Sequence, residues 1–212
     1  MKQNLEMSSF PLNKVYPEQP SPGNIYLFLD GHFIKILNNN DGLSKEKYEQ
    51  FVTMRVQYVF IQKSDYELFN NWNKKERQKE KDALVEIIGA ENESVIEKHL
   101  SIKEEVLEFL TGEVTEDSVQ NLLTQTRTFV DEVMNNQEKS KEYLSKIMSY
   151  SQTIGDHCTN VANLSVYLAM NLGYTQQTIL ENIYIGALLH DYGKVVINLN
   201  SINPTIIKRA IP

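Results

Sequence analysis

The spacing of apolar residues divides the chain into a strand-patterned front and a helix-patterned remainder. NIYLFL and HFIKIL, within residues 24–37, are rich in strand formers and flank Asp30-Gly31. Asp-Gly is a strong hairpin signal, because both positions of the two-residue turn need positive φ. VQYVFIQ, residues 56–62, predicts a third strand. Between hairpin and third strand, Leu43, Tyr48, Phe51 and Val52 fall near helical spacing, with Ser44 as the N-cap. Ser64 and Glu67 make a capping-box pattern that opens a short helix toward Trp72. Residues 1–23 end in YPEQPSPG, whose prolines and glycine suit an extended lead-in.

From residue 73 onward every apolar pattern is helical. NKKERQKEKD, residues 73–82, reads as a solvated helix face or linker. Ile96, Leu100, Leu107 and Leu110 trace one stripe, stopped by Gly112. Val119, Leu122, Leu123, Phe129 and Val133 trace a second, behind Thr115 as cap. Tyr143, Leu144, Ile147 and Met148 belong to a third. These stripes predict helices packed within one domain, with a homodimer formed through connector helices as the alternative. The fold class expected is α+β: a small N-terminal α/β module (β-hairpin, third strand, short helices) followed by an all-α bundle. The expected divisions are an extended segment at 1–23, the α/β module at 24–72, a helical connector at 73–150 and a further helical domain at 151–212.

Composition narrows the function classes. The chain has 212 residues, 41% of them hydrophobic, enough for one good core or two small ones. Its 21 Lys and Arg against 28 Asp and Glu argue against coating DNA or RNA, which requires cations on phosphates. A small anionic ligand stays compatible, since local fields can oppose the net charge. The single cysteine, Cys158, cannot form an internal disulfide and fits a reducing cytosol. No stretch reads as a signal peptide or membrane span, so a cytoplasmic location is expected.

Candidate chemistry rests on the histidines. His32 follows the hairpin turn and His99 lies in a charged helix, and both read as structural or solvated. His157 shares a helical face with Val161, Leu164, Leu168 and Leu172. Gly173 then supplies a stop, and Thr175 can cap the next helix. There Ile179, Ile183, Gly186, Ala187 and His190 share a face. Gly173-Tyr174 lies midway between the two histidines, and a short loop between equal helices makes them antiparallel neighbours. His157, at the start of one helix, should therefore meet His190, at the end of the other, where Gly186 and Ala187 permit close approach. Asp191 follows directly. Two imidazoles and a carboxylate buried together favour a metal ion, whereas a cationic His190 capping a helix end is the plainer reading.

HCTNVANLSVYLAMNLGY followed by ILENIYIGALLHDYGK resembles the opening of an HD-GYP domain, a branch of the HD phosphohydrolase superfamily, with His157 and then the pattern His190-Asp191-x-Gly193-Lys194. Tyr192 stands where an aliphatic residue is commoner. The resemblance implies a bundle of HD type and a bacterial signalling hydrolase, a metal-dependent phosphodiesterase acting on cyclic di-GMP. It implies His157, His190 and Asp191 as metal ligands, Asp191 as the bridge between ions, and Lys194 as facing the substrate phosphate or tying the site to the rest of the domain. Iron or manganese is the metal it favours. Thr153 stands where some members carry a glutamate for a third ion, which leaves two. The family continues through further histidines and a Gly-Tyr-Pro segment, and VVINLNSINPTIIKRAIP contains neither; Asp156 and other earlier carboxylates are the substitutes at hand. Three expectations follow: an incomplete catalytic domain of a longer phosphodiesterase, a degenerate non-catalytic HD protein acting as a signalling or partner-binding module, or a sensor whose working part is the α/β module.

Overall fold

The computed structural model describes residues 6–135, 137–147 and 153–193. The chain forms two compact units. Among the described residues, one comprises 6–78 with 110–112 and 193, the other 79–109, 113–135, 137–147 and 153–192. The architecture is α+β: a four-stranded antiparallel sheet belongs to the first unit and a helical bundle forms the second.

In the first unit, β2 (Ile25–Leu29) and β3 (His32–Leu37) form the expected hairpin, with Asp30 and Gly31 at φ 50° and 80°. β4 (Tyr58–Gln62) pairs with β2, and β1 (Met7–Pro11) pairs with β4, giving the order β1-β4-β2-β3. The lead-in reading of residues 1–23 therefore needs correction at β1. MSSFP lacks an apolar alternation, and its strand is made by five residue pairings to β4. Period-two alternation sends Val59 and Ile61 inward, where they are fully buried with Phe10 and Ile25. α1 (Lys45–Thr53) begins at Ser44, whose side chain accepts from the Lys47 amide, and buries Tyr48, Phe51 and Val52. Phe69 closes this core, its ring 5.3 Å from that of Phe10. Each such side chain taken from water stabilises by about 1.5–3 kcal/mol.

α2 (Tyr66–Ile88) is one continuous helix, so that of the helix face or linker expected at 73–82 the helix is what forms, continuing the short helix expected toward Trp72. Its charged stretch is not a uniformly solvated face, for Glu76 and Glu80 are buried. In the second unit, α3 (Glu93–Thr111) buries Ile96, Leu100, Leu107 and Leu110 as the spacing predicts. α4 (Glu116–Asn135) follows Thr115, whose hydroxyl accepts from the Ser118 amide, and buries Leu122, Phe129 and Val133 while Leu123 stays exposed. α5 (Gln137–Ile147) buries Tyr143, Leu144 and Ile147; Met148 lies outside the described residues. α6 (Ile154–Asn171) and α7 (Gln177–Leu188) form an antiparallel hairpin, with Gly173 at φ 90° making the turn. α7 packs on α6 and α4, and α5 packs on both α4 and α6. Gln176, not Thr175, is the N-cap of α7, and its side chain makes no capping bond. No helix among the described residues is long and apolar enough to cross a membrane.

Candidate metal centre

α6 starts in a capping box. The Thr153 hydroxyl accepts from the Asp156 amide at 3.3 Å, and the Asp156 carboxylate accepts from the Thr153 amide at 2.6 Å. Successive helical residues point about 100° apart. Asp156 consequently turns into the bundle, while the next residue, His157, turns out with 53% of its side chain exposed.

At the other end of the hairpin α7 stops at Leu188, so His190 stands in the turn that follows rather than in the helix. That turn is tied by backbone bonds from Leu189 to Ile185 and from Tyr192 to Leu189. The Tyr192 ring packs against Phe109 of α3, with centroids 5.0 Å apart. An aromatic residue at position 192 thus fastens the turn that carries Asp191.

The two imidazoles meet. Their ring centroids are 5.2 Å apart. Asp191 lies between them, Oδ1 at 3.1 Å from His190 Nε2 and Oδ2 at 3.8 Å from His157 Nε2. One ligand atom from each of the three residues falls within 4.8 Å of the others. Atoms bound to a first-row ion at about 2.1 Å stand roughly 3–4 Å apart, so slight closing would let all three reach one ion.

The protons favour the same occupant. His190 Nδ1 lies 2.7 Å from the Ala187 carbonyl. A carbonyl can only accept, so Nδ1 carries the hydrogen and Nε2 of the neutral ring presents its lone pair. That lone pair faces a carboxylate oxygen at 3.1 Å. Two acceptors at that distance repel unless a second ring proton or a shared cation lies between them. The Ala187 carbonyl is also the kind of outer partner that orients a ligating imidazole.

Other expected features fall elsewhere. Gly186 is exposed and a methyl group there would meet open space, so it is not where the helices approach. Close approach occurs at Gly155, where a Cβ would lie 2.9 Å from Leu107 Cγ. Leu164, Leu168, Leu172 and Ile179, the stripe shared with the histidines, is exposed; α6 buries Cys158, Ala162 and Val166 instead. His32 is exposed on β3, but His99 is buried, with Nδ1 3.5 Å from Asn163 Nδ2. Burial pushes its pKa down to about 4, reinforced by Lys103 and opposed by Asp156. Asp156 is no substitute ligand, since it caps α6 and pairs with Lys103 Nζ at 2.9 Å. Lys194 lies outside the described residues.

Sequence reasoning missed a buried ionic group. Lys103, paired with both Asp156 and Glu80, is 6% exposed. Burial alone would lower its pKa, but Asp156 and Glu80 outweigh that and raise it. Burial raises the pKa of Glu80, against the pull of Lys103. The signal was present: Lys103 falls between Leu100 and Leu107 on the buried stripe of α3.

Residues 154–207 match the model of one protein family, the HD domain. This stretch of the chain is similar to HD domains. The match begins at the first residue of α6 and contains His157, His190 and Asp191, as the resemblance in the sequence implies. HD domains are metal-dependent hydrolase domains, in keeping with the donor set found here. A search of the curated proteins finds no match. Among solved structures, Bd1817, an HDG"Y"P protein from Bdellovibrio bacteriovorus, is similar at 20% identity with a TM-score of 0.49, over 89% of this chain and 60% of that one. This chain therefore spans less than two thirds of the length of that protein.

Proposed function

We propose that the HD domain of this chain holds a divalent metal on His157, His190 and Asp191 and serves in a phosphodiesterase of the HD-GYP branch that hydrolyses cyclic di-GMP. The observation that carries the reading is the meeting of the three side chains at the open end of the α6–α7 hairpin, inside the matched segment. The substrate class comes from the HDYGK pattern. Two imidazoles and a carboxylate suit iron, manganese or zinc, and the resemblance favours iron or manganese. A bound ion supplies Lewis acidity and a hydroxide nucleophile near neutral pH.

The residues divide the remaining work. His157 and His190 offer Nε2 lone pairs, and the bond from His190 Nδ1 to Ala187 keeps that ring in register. Asp191 places one oxygen toward each imidazole, an arrangement suited to bridging two ions as well as to holding one. Its side chain is only 11% exposed, so its charge is little screened by water. His157 stays about half exposed, which leaves the site open to a substrate as large as a cyclic dinucleotide.

The test is hydrolysis of cyclic di-GMP by the purified chain loaded with Mn²⁺ or Fe²⁺, followed by product chromatography. Linear dinucleotide from the native chain, and none from His190→Ala, is the expected result. Metal uptake without any hydrolysis would favour the non-catalytic alternative over the phosphodiesterase reading.

A further inference from the structure

The metal centre has a foundation that neither the HD pattern nor the family match describes. Beneath the first turn of α6, Lys103 of α3 forms an ion pair with Asp156 Oδ1 at 2.9 Å and donates to Glu80 Oε1 of α2. Lys103, Glu80 and Asp156 are 6%, 6% and 1% exposed, so the group is shut away from solvent. The other oxygen of Asp156, Oδ2, accepts from the amide and hydroxyl of Thr153, at 2.6 and 3.0 Å. One carboxylate thus ties α6 at two points, its own N-cap and the neighbouring helix. Gly155 lets the same turn lie against the Lys103 and Leu107 side chains, at 3.1 and 2.9 Å from where a Cβ would be.

The residue after Asp156 is His157. Rotation of α6 about its axis by a few tens of degrees would carry that exposed ring away from His190 and Asp191, and the Lys103–Asp156 ion pair opposes such rotation. We propose that Lys103 is a positioning residue for the metal centre: through Asp156 it fixes the rotation of α6 that points His157 at His190 and Asp191. Lys103 acts through Asp156 and is not itself a ligand. This inference rests on the metal site proposed above. Beneath a single ligand that is already half exposed, a rigid base substitutes for the packing that orients buried ligands elsewhere.

The test uses the full chain and Co²⁺, titrated with visible absorption as the readout and far-UV circular dichroism as the control for folding. Lys103→Met should weaken Co²⁺ binding about tenfold or more and alter the absorption band, as expected when a ligand is misdirected. Lys103→Arg, which keeps the charge and the donors, should restore most of the affinity. If Lys103→Met does not fold, Asp156→Asn takes its place with the same expectation, because it leaves Glu80 and Lys103 as a neutral pair. A folded variant of either kind with native affinity and spectrum would overturn the positioning role while leaving the metal site standing. A native chain that binds no Co²⁺ would instead overturn the metal site, a distinct result.

Discussion

Lowering the pH should expose the cost of keeping His99 neutral. The ring is fully enclosed, with Asn163 Nδ2 at 3.5 Å from Nδ1 and with Asp156, Lys103 and Glu80 as the charged groups of the same interior. Its pKa is about 4 in the folded chain, against 6.5 for a free histidine. Between those values the unfolded chain binds the extra proton, so stability falls as pH falls through the window. Integrating the two titrations gives a loss of about 2 kcal/mol between pH 7 and pH 5, and about 3 kcal/mol by pH 4. The assay is urea unfolding at pH 7, 6 and 5, for the native chain and for His99→Gln. The difference between the two cancels the carboxylates, of which buried Glu80 titrates in the opposite sense because its pKa is raised. The native chain should lose about 2 kcal/mol more than His99→Gln over that range. Parallel curves would refute the assignment of His99 as a buried neutral imidazole.

Substitutions at three further positions separate close packing from open surface. Gly155→Val should lower the melting temperature, because even its Cβ would lie 2.9 Å from Leu107 Cγ; overpacking of this kind costs about 1–3 kcal/mol. Gly186→Ala, where a Cβ meets open space in the last turn of α7, should raise stability by up to about 1 kcal/mol in the same thermal melt. Tyr184→Phe should be neutral or slightly stabilising in urea unfolding: the buried hydroxyl has no partner among the described residues, and the ring keeps its contact with Phe129. A loss of more than about 1 kcal/mol would show that the hydroxyl is bonded after all.

The elements with strong local signals were legible. Asp30-Gly31 can make only a tight turn there, and Ser44, Thr115 and Gly173 mark their boundaries because each satisfies a backbone need that few residues can meet. β1 was illegible because its residues become a strand only through a partner far along the chain. Of the solvated helix face or linker expected at residues 73–82, the solvation failed for a related reason: a charge-dense helix reads as solvated until a buried cation claims one of its carboxylates, as Lys103 claims Glu80. For the site, the place of Gly173 midway between His157 and His190 was enough to bring the two rings together, although α6 and α7 differ in length. The burial pattern around them was not legible. Helical spacing identifies which residues share a face but not which of two apolar faces turns inward, and α6 buries the face with Cys158, Ala162 and Val166.

The most direct test of the account is elemental analysis of the purified chain, native and with Asp191→Asn, after exposure to Fe²⁺ or Mn²⁺ and removal of loose metal. Asp191 lies between both imidazoles, so its loss removes the one anionic donor that the described residues give the centre. Stoichiometric metal is expected in the native chain and a drop of about tenfold or more in the variant, with the fold intact by circular dichroism. Equal metal in both proteins, or none in either, would contradict this.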